Sequence, residues 1–357
     1  MATKNKLLFA ISAYEYLVPS FVAAGAFDVG SIERKTFPDG ERYMRLLDDA
    51  WGRDVVLLGG TPTDLDWLEL YDLGCAISRT GARSLSIVMP YFGYATMERA
   101  VRVGEVVTAK TRARLMSAIP PCEGGSRLFL FDLHTDGIEF YFSDQHITRH
   151  IYGAPLVTTG VRAMMGDRPY VLGATDAGRA KWVQSLAHTL GVEPAFVYKT
   201  RDSSDGHLAV TGINADVRGK EVVIYDDMIR TGSSLVQAGR AYLQAGATKV
   251  HAIASHLVLP ARSLEKIREA GVFTRIMGTD SHPGSQLLPA EDRVSCAPLL
   301  ASSLERSTAS VSPLPKDDAC GTTPRCTAGT AMGVIGCSSA AICWTRQRRC
   351  GSGSWMR

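Results

Sequence analysis

Asp226 and Asp227 end the apolar run of the segment VVIYDDMIRTGSSL, and Thr231, Gly232, Ser233 and Ser234 follow before a helix-like stretch, LVQAGRAYLQAG. A strand that ends in acids and passes through a turn into a helix places those residues at the carboxyl edge of a parallel sheet, where α/β proteins bind ligands. The amides of residues 231–234 can cradle a phosphate on the helix N-terminus, and Gly232, lacking a Cβ, lets the chain approach it. Ionised carboxylates are acceptors only, so Asp226 and Asp227 suit vicinal sugar hydroxyls or a metal ion. A lone Thr-Gly-Ser-Ser would read as a Ser-rich helix start. The two acids after a β-branched run favour a sugar-phosphate site instead. Like charges side by side repel, so something outside the chain is expected to compensate them.

The elements that must hold this turn are legible as an alternation. Short β-rich runs (KLLFAIS, DVVLLGG, SLSIVMP, RLFLFDL, YVLGAT, PAFVYK, EVVIYDD, KVHAIAS, TRIMGTD) alternate with helix-period stretches such as LELYDLGCAISRTGA and SLVQAGRAYLQAGA, each with Gly near its end. This predicts an α/β fold with largely parallel sheets. The strand-turn-helix-Gly-Ala-strand unit from Arg53 is echoed from Lys220, which suggests two similar α/β domains, 1–150 and 151–315. The acidic turn belongs to the second copy only; the first has GGTPTD in its place. From 316 to 357 the chain is rich in Gly, Ser, Thr, Ala, Cys and Arg without a clear period, and a poorly ordered tail carrying no chemistry is expected there.

The totals narrow the function. With 357 residues, 45% of them hydrophobic, the chain can bury a sizeable core, and a scattered net charge of +3 argues against nucleic acid as a partner. No apolar run approaches a membrane span, and the N-terminal apolar segment is too short for a signal peptide. Five of the eight cysteines lie in the tail and lack the close pairs of a zinc site. A soluble, cytoplasmic enzyme acting on small phosphorylated ligands is the expectation.

Several segments together resemble the ribose-phosphate diphosphokinases (phosphoribosyl diphosphate synthetases), over roughly residues 5 to 315. The acidic turn is similar to the ribose 5-phosphate loop of the phosphoribosyltransferase-type fold. FPDGERYMRL resembles the segment whose aromatic and acids reach ATP bound by a neighbouring subunit, here Phe37, Asp39 and Glu41. MPYFGYATMERAVRVGEVVTAK resembles the Pro-Tyr-Phe-Gly-Tyr stretch, with Arg99 carried over as an ATP contact. LFLFDLHTDG resembles the strand end whose histidine, here His134, serves metal and ATP phosphates. GATDAGRAKW resembles the segment whose acid, here Asp176, holds magnesium, and VYKTRDSSDG resembles the mobile catalytic loop, with Lys199 and Arg201 at its positive positions. His207, His256 and His282 are expected to be structural.

The resemblance implies a homo-oligomer with a shared ATP site, Mg2+ as cofactor, and ribose 5-phosphate and ATP as substrates. The sugar's C1 hydroxyl would attack the β-phosphorus of ATP, giving phosphoribosyl diphosphate and AMP for nucleotide biosynthesis. The chain departs from the family pattern at Thr96 and Met97, where two polar ATP contacts are missing, and at Arg230, where an acid is usual. These changes, with GEVVTAK and SAIP, look like the plant-type class of synthetase. Two alternatives stay open: a catalytically silent regulatory paralogue, and a phosphoribosyltransferase that consumes phosphoribosyl diphosphate.

Overall fold

The structure is a computed structural model that describes residues 5–175, 178, 180–201 and 208–306, without the side chains of 198–201 and 208–211. Asp176, His207 and the stretch expected to be a tail lie outside the described residues. In the first half the strands are β1 (Lys6–Ala10), β2 (Phe27–Val29), β3 (Ile32–Thr36), β4 (Arg42–Leu46), β5 (Asp54–Leu58), β6 (Ser84–Met89), β7 (Ser126–Phe131) and β8 (Ile147–Ile151). Helices α1 (Val18–Ala24), α2 (Asp64–Arg79) and α3 (Thr108–Ser117) lie between them. The second half holds α4 (Ala154–Met165), β9 (Tyr170–Ala174), α5 (Ala180–Leu190), β10 (Pro194–Ala195), β11 (Val197–Arg201), β12 (Leu208–Ile213) and β13 (Glu221–Ile229). It continues through α6 (Ser233–Gln244), β14 (Lys249–Leu257), α7 (Ser263–Glu269), β15 (Phe273–Thr279), β16 (Arg293–Val294) and α8 (Ala297–Arg306).

Two six-stranded sheets result, ordered β2-β1-β5-β6-β7-β8 and β10-β9-β13-β14-β15-β16, with every neighbouring pair parallel. The orders match strand for strand. The two echoed segments become β5-α2-β6 and β13-α6-β14, at the same central positions of their sheets. Two antiparallel hairpins, β3-β4 and β11-β12, stand apart from the sheets.

The central strands are apolar on both faces because helices cover both. Val222 and Ile224 of β13 pack on one side with Leu235, Ala238 and Tyr242 of α6, while Val223 and Tyr225 pack on the other with Val157, Val161 and Val183. That is the period of two a strand dictates. The chain's last described helix crosses back: Ala297, Leu300, Ala301 and Leu304 of α8 join the core of the first sheet. Among the described residues no helix is long and apolar enough to cross a membrane.

A buried polar seam joins the halves. His256 of β14 lies with Nε2 3.0 Å from the carbonyl of Asp132 and Nδ1 2.8 Å from Ser281 Oγ. Its ring meets Tyr91 and Phe131 edge-on, and His282 stands edge-on to the same Tyr91. The Tyr14 hydroxyl donates to the Ser281 carbonyl at 3.0 Å, and Tyr16 donates to that of Asp280 at 2.6 Å. His256 and His282 therefore have the structural roles expected of them.

Burial, then the neighbouring His256, pushes the His282 imidazole from 6.5 down to about 3. The unfolded chain takes up that proton first, so this contribution to stability is complete above about pH 6.5 and is lost as pH falls towards about 3. Between pH 7 and 4 the group should remove on the order of 2–3 kcal/mol. His282→Asn, which retains an acceptor for the Gly284 amide, should flatten that part of the profile in urea titrations. Identical slopes for the two proteins would contradict this role.

Candidate active site

The turn is built by β13 and α6. The strand runs two residues further than its acids suggest: Met228 and Ile229 still pair with His256 and Leu257 of β14, and only Arg230 and Thr231 leave the sheet. The acids thus sit beyond the last residues paired with β9, on a stretch that still pairs with β14. Gly232 caps α6 with φ 78°, and a Cβ there would lie 2.3 Å from Ile267 Cγ1. Both conformation and space demand glycine. Asp226, Met228 and residues 229–235 line a cavity of about 230 Å3. The first amides of a helix have no carbonyl partners within it, so the opening turn of α6 offers donors to an anion.

The position of α6 is set from behind. The buried Tyr242 hydroxyl accepts the Ala174 amide at 3.2 Å and lies 2.9 Å from the Ala195 carbonyl, tying the helix to β9 and β10. Burial raises its pKa strongly, so it stays a neutral hydrogen-bonding group.

Within the chain, donors already reach both acids. Asp227 Oδ2 lies 2.5 Å from Nδ1 of His134, a residue of the other half, and the Asp227 side chain is 8% exposed. Asp226 accepts the Asp227 amide at 3.0 Å and the Thr175 hydroxyl at 3.3 Å. His134 reaches this place through a bend after β7. Asp132 has φ 44°, its Oδ1 accepts the Gly153 amide at 2.8 Å, and the Leu133 amide donates to His150 Nε2 at 2.9 Å. Thr175 and the tyrosine behind α6 carry no motif of their own. The only signal for Thr175 was its place just before Asp176.

The structure brings Asp226, Asp227, Thr231, Gly232, Ser233, Ser234 and His134 together. Phe37, Asp39 and Glu41 stand elsewhere, at the exposed tip of the β3-β4 hairpin, where the Phe37 amide donates to the Glu41 carbonyl and the Glu41 amide to Asp39 Oδ1. Phe37 is 47% exposed. Arg99 is exposed and, among the described residues, pairs only with Glu98, at 3.4 Å. Lys199 and Arg201 lie on β11, opposite Val210 and Leu208 of β12, with their side chains outside the described residues. Arg230 lines the cavity, and its positive charge acts on the Tyr91 hydroxyl.

Among the described residues no three His, Cys, Asp or Glu side chains form a metal cage. The donors present still fit magnesium, which takes hard oxygens from one or two carboxylates and completes its shell with water and substrate phosphates.

Two equivalent parallel sheets, with an acid-flanked glycine turn on one and a histidine from the other against its acids, define a phosphoribosyltransferase-type protein of doubled architecture. Residues 6–119 match the N-terminal domain of ribose phosphate pyrophosphokinase, and residues 165–280 match the phosphoribosyl transferase domain. The chain is 35% identical to a ribose-phosphate pyrophosphokinase of Rhodopirellula baltica, over 76% of its own length and 85% of that protein's. It is 34% identical to the one of Methanosarcina mazei, over 76% and 86%. Among solved structures it is similar to phosphoribosylpyrophosphate synthetase from Mycobacterium smegmatis, with a TM-score of 0.75 and 27% identity, covering 85% of this chain and 99% of that one. The chain belongs to the ribose-phosphate pyrophosphokinase family.

Gly232→Ala should force the turn out of its left-handed conformation or push Ile267 away. Affinity for a sugar phosphate, measured by calorimetry, should fall at least about tenfold. Unchanged affinity would show that the phosphate does not sit in this turn.

Proposed function

We propose that this chain is a ribose-phosphate diphosphokinase, in which the C1 hydroxyl of ribose 5-phosphate attacks the β-phosphorus of ATP. A C1–O–P bond forms, the bond from the β-phosphorus to the bridging oxygen of the α-phosphate breaks, and AMP leaves. The observation that carries this reading is the meeting of His134 with Asp227 beside an anion-binding turn, because it unites a nucleotide-side group with the sugar side.

Each group has a role its chemistry allows. The amides and hydroxyls of Thr231, Gly232, Ser233 and Ser234 grip the 5-phosphate. Asp226 and Asp227 accept hydrogen bonds from the ribose hydroxyls. Lys199 and Arg201 stabilise charge on the transferring group. His134 and Asp176 would hold Mg2+, which when bound neutralises phosphate charge and acidifies the attacking hydroxyl. Catalysis at phosphorus depends mainly on such positioning and neutralisation.

ATP needs the remaining contacts. Phe37, Asp39 and Glu41 are exposed at the tip of their hairpin in the single chain, so they serve a neighbour's site in a homo-oligomer, and Arg99 adds a further ATP contact. The three described cysteines, Cys75, Cys122 and Cys296, are free thiols, which fits the cytoplasm.

The full chain, supplied with ribose 5-phosphate, ATP and magnesium, should release AMP only when the sugar phosphate is present. Lys199→Ala should lower turnover roughly a hundredfold or more with little change in KM for the sugar, whereas Asp226→Asn with Asp227→Asn should chiefly raise that KM. No AMP release would favour the silent regulatory paralogue. Full turnover in Lys199→Ala would overturn the catalytic assignment.

A further inference from the structure

Glu69 is a carboxylate in the middle of α2, with a side chain only 1% exposed, and the chemistry above gives it nothing to do. It is nevertheless surrounded by donors. Oε1 accepts the Ser12 amide and the Ser12 hydroxyl, each at 2.9 Å, and Arg34 Nε at 2.9 Å; Oε2 accepts Arg42 Nη2 at 2.6 Å. Burial alone would raise its pKa, but the Ser12 amide, Arg42, the Ser12 hydroxyl and Arg34 outweigh that and hold it below the usual range. Arg34 is saturated elsewhere too: Nη1 donates to Glu15 at 2.8 Å and Nη2 to the Ala10 carbonyl at 2.7 Å.

The two arginines come from opposite legs of one hairpin. In its register Arg34 faces Met44 and Arg42 faces Thr36, so both arginines project from the same face. On that face Ile32, Met44 and Leu46 pack against the first core, while the opposite face carries the solvent-side pairs of Glu33 with Lys35 and Arg45. The apolar residues fix the base of the hairpin. Nearer the tip, the inward ties are the two guanidinium groups on Glu69. Beyond Arg42 there remains only the short loop that displays Phe37, Asp39 and Glu41.

We infer that Glu69 is a positioning residue for nucleotide binding: by clamping both legs of the β3-β4 hairpin, it aims the Phe37-Asp39-Glu41 tip at the ATP site of a neighbouring subunit. The inference rests on the shared-site reading above. Removing the negative charge would leave Arg42 facing a neutral, buried side chain and Arg34 held only by Glu15 and the Ala10 carbonyl. The uncompensated Arg42 guanidinium moves to water, and its leg of the hairpin swings with it.

Glu69→Gln in the full chain should raise KM for ATP about tenfold or more while leaving KM for ribose 5-phosphate within about twofold. Glu69→Asp should recover part of the loss. If Glu69→Gln does not fold, Arg42→Gln, whose side chain is 32% exposed, should shift KM for ATP in the same direction, because it frees one leg and leaves Arg34 paired. Unchanged KM for ATP in a folded variant, or an equal rise for both substrates, would overturn the inference. Heteromers of Glu69→Gln with Lys199→Ala should regain a low-KM component, since one subunit supplies an intact hairpin and the other an intact catalytic loop. A selective rise in KM for ATP without that recovery would support the anchor and overturn sharing between subunits.

Discussion

Two adjacent carboxylates near the end of a buried parallel strand are unstable neighbours unless donors are brought to them, and the arrangement of this molecule answers that constraint. Asp226 is satisfied locally by the Asp227 amide and Thr175. Asp227 is satisfied from a distance, by a histidine carried on the first sheet. His134 can arrive there only because the chain bends sharply at Asp132, and because the polar seam of Tyr14, Tyr16, His256 and Ser281 brings the halves together. The hydrogen bonding of these acids thus depends on the packing of the two halves.

Much of this was legible in the sequence. Alternating apolar and helix-period runs gave the doubled α/β architecture, and the echo at Arg53 and Lys220 proved to be the same two-strand unit in each sheet. The turn between β13 and α6 was legible because acids followed by Thr-Gly-Ser-Ser break a strand and open a helix. The internal partner of Asp227 was not: no local pattern reports a contact across 93 residues. Glu69 was missed for a related reason. On a helix period it looks like a surface acid, and only the fold shows it buried beneath two arginines. The extension of β13 through Ile229 was hidden because Asp and Asn are poor strand formers, and tertiary pairing with β14 overrode that preference.

Three departures from the family pattern find different settings. Thr96 and Met97 lie in a short 3-10 turn after Tyr94, and Met97 is 44% exposed, so neither is required by the core. Arg230 stands at the lip of the sugar-phosphate cavity and forms no side-chain hydrogen bond or ion pair among the described residues. Its charge adds to the positive field of the α6 N-terminus where an acid would have opposed it.

His134 and Asp227 would make one site of the two halves, and a double-mutant cycle of His134→Ala and Asp227→Ala on kcat/KM for ribose 5-phosphate reads that out. Strong coupling is expected, with the double variant little worse than the poorer single one and an interaction energy of about 1 kcal/mol or more. Losses that simply multiply would contradict it, for the two residues would then serve separate sites.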